Sequence, residues 1–531
     1  MERTRPPVEA GTALAVRLRE LVAADPDAPA VTDDHASVTR RELDVRSNRL
    51  ARRFAALGVG RGDFVSIALP NGIRHIECSL ATWKLGAIPQ PLSHRLPRPE
   101  LAALVELADP ALVVGLRPAD GRAWSAGDED LSTGDASALP DVVGPSWKAP
   151  TSGGSTGRPK LIVAGQVAST EAVLARCDLL RIDRDGVFLS SAPLYHNAPY
   201  MFSLMALLQG HHVVLMGRFD AHRVLQLTET HRVTWLYTVP TMMGRMLRLP
   251  EDVRAAADLS SLRTVLHVGA PCPPAVKRAF LDWVGPEKVI ELYSATEAQA
   301  NSIIDGVDWL AHPGSVGRVQ RGRMSVRDEN FEELPAGQIG EIWMRPDGDN
   351  PTYRYLGAQA RHRDGWDSVG DMGSFDADGY LYLADRQSDM ILVGGANVYP
   401  AEIEGALAAH PQVAESAVIG LPDPDYGNVV HAVVLPVDGA DPDPEERREF
   451  VRARLAPYKV PRSVELTTER LRDDTGKIRR AALRDSRLTP PGEPVGGDPV
   501  CWLDRTCPEC GAMPSADSPG RCWRCGRPDR R

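Results

Sequence analysis

Several features are missing from this 531-residue sequence, and each absence narrows the field. Uninterrupted apolar runs of the length needed to span a bilayer are missing, and the first thirty residues break their apolar positions with Arg and Glu every few residues. This excludes a spanning segment or signal-peptide core there and leads to the expectation of a cytoplasmic protein with no membrane partner. Concentrated positive charge is missing as well. The formal charge of −10 comes from 71 acidic against 61 basic residues scattered along the chain. Without a basic stripe there is no electrostatic footprint for nucleic acid. Distributed cysteine is scarce: of eight, Cys78, Cys177, Cys272 and Cys501 stand alone, whereas Cys507, Cys510, Cys522 and Cys525 pair up near the end. That pattern argues against a secreted disulfide framework and for one local metal site in a reducing compartment. No internal repeat is evident.

What is present reads as layered α/β. Leu43, Leu50, Phe54 and Leu57 recur at helical spacing until Gly58 and Gly60 stop the pattern before the apolar stretch 64–69. Val213–Met216, Val233–Tyr237 and Thr264–Val268 look like short buried strands between amphipathic segments, which predicts substantial parallel sheet. Residues 118–145 read as surface loop. From Arg386 the pattern restarts, with a helical segment over Val398–His410 and strands over Ser416–Ile419 and Ala432–Val437. The expected organisation is a large N-terminal domain over 1–385, a small mobile α+β domain over 386–487, a Pro/Gly-rich linker over 488–500 and a tail over 501–531.

Residues 151–160, TSGGSTGRPK, combine three glycines, four hydroxyl side chains and Lys160. Glycines let backbone N–H groups crowd round a polyphosphate, Ser155 and Thr156 add donors beside Gly157, and Lys160 supplies positive charge. The Walker A spacing cannot be fitted to it. A flexible surface loop is the plain alternative.

This segment resembles the phosphate loop of the acyl-adenylate-forming superfamily, and further segments follow in that superfamily's order. Pro193-Leu194-Tyr195-His196-Asn197 resembles the loop whose His closes the acyl pocket, and Val268-Gly269-Ala270-Pro271 the adenine-binding strand end. Tyr293-Ser294-Ala295-Thr296-Glu297 is similar to the aromatic-x-x-Thr-Glu motif, and Gly365-Trp366 with Gly370-Asp371 to the motif bearing a ribose-binding Asp. Arg386 with Gly394-Gly395-Ala396-Asn397 resembles the hinge and the start of the mobile domain, and Thr475-Gly476-Lys477 the motif carrying the catalytic Lys. The resemblance covers roughly residues 30–485.

It implies activation of a carboxylic acid with ATP, then transfer to an acceptor such as coenzyme A, with Lys477, Thr296, Glu297 and His196 at the reacting centre. Glu297 would hold Mg²⁺, a cation that takes hard oxygen ligands and keeps several waters. Tyr293 would stack on adenine and Asp371 accept from the ribose hydroxyls. The Arg386 to Ser388 segment would act as hinge, although relatives usually carry Asp or Lys where Ser388 stands, and Gly394-Gly395 would face the pantetheine arm. The Gly-Gly-Ser-Thr-Gly form of the loop is more like bacterial ligases for fused-ring or aryl acids, some amide-forming. An amine or carrier-protein acceptor and a catalytically silent scaffold remain the alternatives.

Cys507-Pro508-Glu509-Cys510 and Cys522-Trp523-Arg524-Cys525 form two knuckles able to present four thiolates to one tetrahedral Zn²⁺. So short a tail cannot bury a core, so the metal would supply most of its folding energy. The tail resembles a zinc ribbon, with protein contact or stabilisation as its expected role.

Overall fold

The computed structural model describes residues 11–488 apart from residue 97 and the short stretches 154–158, 387–388, 394–395, 424–425, 441–442 and 474–475. The phosphate-loop residues Ser155, Thr156 and Gly157, the pair Gly394-Gly395, and all four tail cysteines therefore lie outside the described residues.

The helix read from the Leu43/Leu50/Phe54 spacing runs over Arg40–Ala56, and its start is chemically specified. Thr39 accepts from the Glu42 amide at 3.2 Å while the Glu42 carboxylate accepts from the Thr39 amide at 2.8 Å, a reciprocal capping box. Leu43, Leu50, Ala51 and Phe54 form its buried face. Gly58, at φ +96°, then turns the chain toward the strand Phe64–Ile67.

The main layer is a nine-stranded sheet. Its inner strands Val289–Ser294, Thr264–His267, Trp235–Thr238, Val187–Ser190, His212–Leu215 and Pro29–Thr32 pair in parallel in that order. Parallel strands covered on both faces need apolar residues at successive positions. Trp235–Thr238 and Thr264–His267 are indeed buried at every position, and Phe188 stacks on Trp235 at 4.8 Å between ring centres. Beside it lies a parallel four-stranded sheet built on Phe64–Ile67. The helix Ile73–Lys84 is buried at every position except Arg74, because it packs against both the helix Arg40–Ala56 and the four-stranded sheet. The stretch read as surface loop over 118–145 carries a two-residue strand, Trp124–Ser125, and buries Leu131. Arg49, Arg53 and Arg74 donate to its carbonyls, so these backbone acceptors pin it down.

A five-stranded antiparallel sheet over residues 323–386 was not foreseen in the periodicity. Further on, the strands Val413–Asp423 and Gly427–Pro436 are longer than the apolar runs that announced them, and the helix is shorter, Pro400–Ala408. Ile403, Leu407, Val418, Val430 and Val451 give this smaller part a core of its own. Among the described residues no helix is long and apolar enough to cross a membrane.

Candidate active site

The C-terminal ends of four of the six parallel strands lead into the candidate site, the place where open α/β sheets bind ligands. Val187–Ser190 leads to His196, Trp235–Thr238 to the helix Pro240–Leu247, Thr264–His267 to Gly269, and Val289–Ser294 to Glu297.

The acidic corner is built first. Glu297 is buried, and its Oε1 accepts from the Tyr355 hydroxyl at 2.5 Å and from Lys160 Nζ at 3.4 Å. Lys160 Nζ also lies 4.1 Å from the centre of the Tyr355 ring, a cation–π contact. Tyr355 was missed by the sequence reading. It belongs to the strand Tyr353–Leu356, which pairs antiparallel with the phosphate-loop strand Pro159–Ala164. Burial and the Glu297 charge push the Tyr355 phenol well above its ordinary range, so it donates to the carboxylate throughout the neutral range. The turn is strained where it matters: Ala298, the next residue, sits at φ +58°, a conformation that L residues adopt at a cost. Thr296 is half-buried in the same turn.

One buried carboxylate beside a hydroxyl-bearing turn fits Mg²⁺, which binds through one or two carboxylates plus substrate phosphates. Among the described residues no group of three or more His, Cys, Asp and Glu side chains could hold a metal by itself.

A second corner joins residues 78 positions apart, both expected from the sequence to meet the nucleoside: the Tyr293 hydroxyl donates to Asp371 Oδ2 at 2.8 Å. Arg386 closes the strand Leu381–Arg386, opposite Asp371 in the ladder. Gly269, at φ +94°, opens the Gly269-Ala270-Pro271 turn that links its strand to the helix Pro274–Val284.

Lys477 stands in a tight turn. Its amide donates to Asp473 Oδ1 at 3.0 Å, its carbonyl accepts from the Asp473 amide at 2.9 Å, and Arg472 donates to the Gly476 carbonyl at 2.9 Å. Gly476 has φ +80°, a conformation that favours glycine, and a Cβ there would press on Thr241 Oγ1 at 3.1 Å. The turn therefore rests on the helix Pro240–Leu247. It also brings the Lys477 charge to His196, whose pKa is pushed down to about 4 by burial and, after that, by Lys477. His196 is thus a neutral imidazole at neutral pH. That suits a wall of the pocket and not a proton carrier.

The structure brings together Lys160, Glu297 and Thr296, separately Tyr293 with Asp371, and separately Lys477 with His196. A second residue the sequence reading missed is Lys148, buried beside Asn197.

The family model described as AMP-binding enzyme matches residues 18–354, and that described as AMP-binding enzyme C-terminal domain matches residues 402–477. The feruloyl-CoA synthase of an Amycolatopsis species is 37% identical over 488 residues, covering 86% of this chain and 96% of that protein. The crystal structure of ATP-bound MatB from Rhodopseudomonas palustris superposes with a TM-score of 0.76 at 27% identity, covering 90% of this chain and 99% of that one. The amide bond synthetase McbA from Marinactinospora thermotolerans gives 0.75 at 28% identity, covering 90% and 100%.

Proposed function

This chain belongs to the AMP-binding enzyme family, and we propose from its site that it is an ATP-dependent, AMP-forming acid–thiol ligase whose acceptor is coenzyme A. A carboxylate oxygen of the acid attacks the α-phosphorus of ATP and pyrophosphate leaves. The thiol of CoA then attacks the acyl carbon of the resulting mixed anhydride, and AMP departs. The observation that carries the reading is the seating of the Lys477 turn against Thr241, with its charge at His196.

In this arrangement Lys477 bridges the incoming carboxylate and the α-phosphate, offsetting negative charge that builds in the transition state. Glu297 with Thr296 would hold Mg²⁺, which would supply positive charge to offset that of the phosphates. Lys160 meets phosphate oxygens beside the loop, Tyr293 and the Gly269-Ala270-Pro271 turn hold adenine, and Asp371 the ribose. His196 lines the acid pocket. Rotation about the Arg386 to Ser388 segment then brings Gly394-Gly395 to the pantetheine arm. Similarity to feruloyl-CoA synthase supports an aryl acid, and similarity to an amide bond synthetase keeps an amine acceptor as the second reading.

Pyrophosphate release, measured with ATP and Mg²⁺ across a panel of aryl, alicyclic and fatty acids, is expected to depend on the acid and to accelerate with CoA. Release that CoA never accelerates would transfer the assignment to an amine or carrier protein. Silence with every acid would favour a scaffold.

The four tail cysteines are assigned one structural Zn²⁺ and a protein-contact role. Metal analysis of the purified full chain is expected to find one zinc per chain, lost in Cys507→Ser/Cys510→Ser with adenylation intact. A wild-type chain free of zinc would discard the assignment.

A further inference from the structure

Three lysines are buried among the described residues: Lys84, Lys148 and Lys277. Two of them follow the rule that a buried charge is paired. Lys84 Nζ lies 2.7 Å from Asp44 Oδ1, and Lys277 Nζ 2.6 Å from Glu291 Oε2. Lys148 departs from it. Its ammonium donates to the Asn197 side-chain amide oxygen, lies 3.8 Å from the Met201 sulfur and 4.8 Å from the Trp147 ring, and forms no ion pair with a carboxylate among the described residues. A second cation, the half-buried Arg176, is felt at Lys148, and Arg176 in turn feels the cation Arg321. A buried ammonium held only by an amide oxygen, a thioether and a ring face is costly unless something negative completes it.

Its position says what that is. Asn197 follows His196 and begins the helix Asn197–Gln209, and Met201 is one turn further along the same face. Tyr200, Phe202, Leu204 and Met205 on that helix are at most 1% exposed, whereas Asn197, Ala198 and Met201 remain partly open. The open stripe therefore borders a space beside His196, on the acid side of the reacting centre, and Lys148 sits at its wall. Lys148 also feels the Glu297 charge, which places it within electrostatic reach of the catalytic corner.

Resting on the ligase reading, we infer that Lys148, backed by Arg176, recognises an acidic oxygen at the distal end of the carboxylic acid, either a second carboxylate or an acidic phenol. The substrate class is thereby narrowed from apolar aryl acids to those with an acidic group opposite the carboxyl that is activated. Burial, followed by Arg176, lowers Lys148 to about 7, so an arriving acidic oxygen would draw it fully into its charged form.

The test uses matched pairs of aryl acids, each with and without a distal carboxyl or hydroxyl, and reads the ratio of kcat/KM within each pair by pyrophosphate release. Because both members of a pair meet the same preparation, the ratio does not depend on the fraction of protein correctly folded. Wild type is expected to favour the acidic member by about tenfold or more, Lys148→Met to lose that preference, and Lys148→Arg to retain part of it. The half-buried Arg176→Met should lower the ratio less. A preference for the carboxyl member identifies a diacid and for the hydroxyl member a phenolic acid. Turnover without preference in wild type, or an unchanged ratio in Lys148→Met, overturns the inference alone. Pyrophosphate released with no acid at all in the panel overturns the ligase reading beneath it.

Discussion

Lys477→Ala is expected to cut acid-dependent pyrophosphate release by about 100- to 1,000-fold, the loss typical when a preorganised group opposite developing charge is removed. The carboxylate and the α-phosphate both carry negative charge and must approach each other, and the role proposed for Lys477 is to supply the cation between them. Its turn is preorganised through Asp473, Arg472 and the φ of Gly476, so no reorganisation is needed at the moment of reaction. The imidazole of His196 cannot substitute, since it stays neutral until the pH approaches about 4. The complementary measurement supplies preformed acyl-adenylate and follows thioester formation with CoA. That step has no pentavalent phosphorus to stabilise, and the variant is expected to keep most of it. Pyrophosphate release above one tenth of the wild-type rate, on the order of 1.4 kcal/mol of lost stabilisation or less, would remove Lys477 from the reacting centre.

The parts of this site legible from sequence are those whose chemistry is local. The spacing of Leu43, Leu50 and Phe54 announces its helix because the pattern lies within one element. Glycines at 269 and 476 announce turns because their backbone conformations are left-handed. Thr296-Glu297 and Gly476-Lys477 were found because the residues that matter are adjacent. Tyr355, Lys148 and Glu415 were missed for the opposite reason. Tyr355 meets Glu297 across 58 positions, and Lys148 meets Asn197 across 49. A buried lysine and a surface lysine look alike in a sequence, and burial is decided by tertiary packing. Part of the antiparallel sheet over 323–386 escaped for a related reason: the strands Arg323–Arg327 and Arg361–Arg363 are partly or wholly exposed and rich in Arg, so no apolar run marks them.

Glu415 carries the second large effect. It lies on Val413–Asp423, buried, and its Oε2 accepts from the amides of Leu471 and Arg472 at 3.1 and 3.2 Å, which fixes the root of the Lys477 turn. Its Oε1 accepts from Arg245 at 2.9 Å, on the helix that also carries Thr241 against Gly476. The same carboxylate thus shapes the turn and fastens it to the helix beside the acid pocket, holding the orientation in which Lys477 serves adenylation. Truncating one partner of a buried charge pair costs about 3 kcal/mol or more, which corresponds to about a 100-fold loss in the population of that orientation. Glu415→Ala is therefore expected to slow pyrophosphate release by about that factor while sparing thioester formation from supplied acyl-adenylate. Arg245→Met removes the link to the helix but leaves both amide contacts of Glu415 in place, and its effect should run in the same direction and be smaller. If both variants depress the two half-reactions equally, Glu415 maintains the fold of the smaller part of the chain and has no share in orienting Lys477.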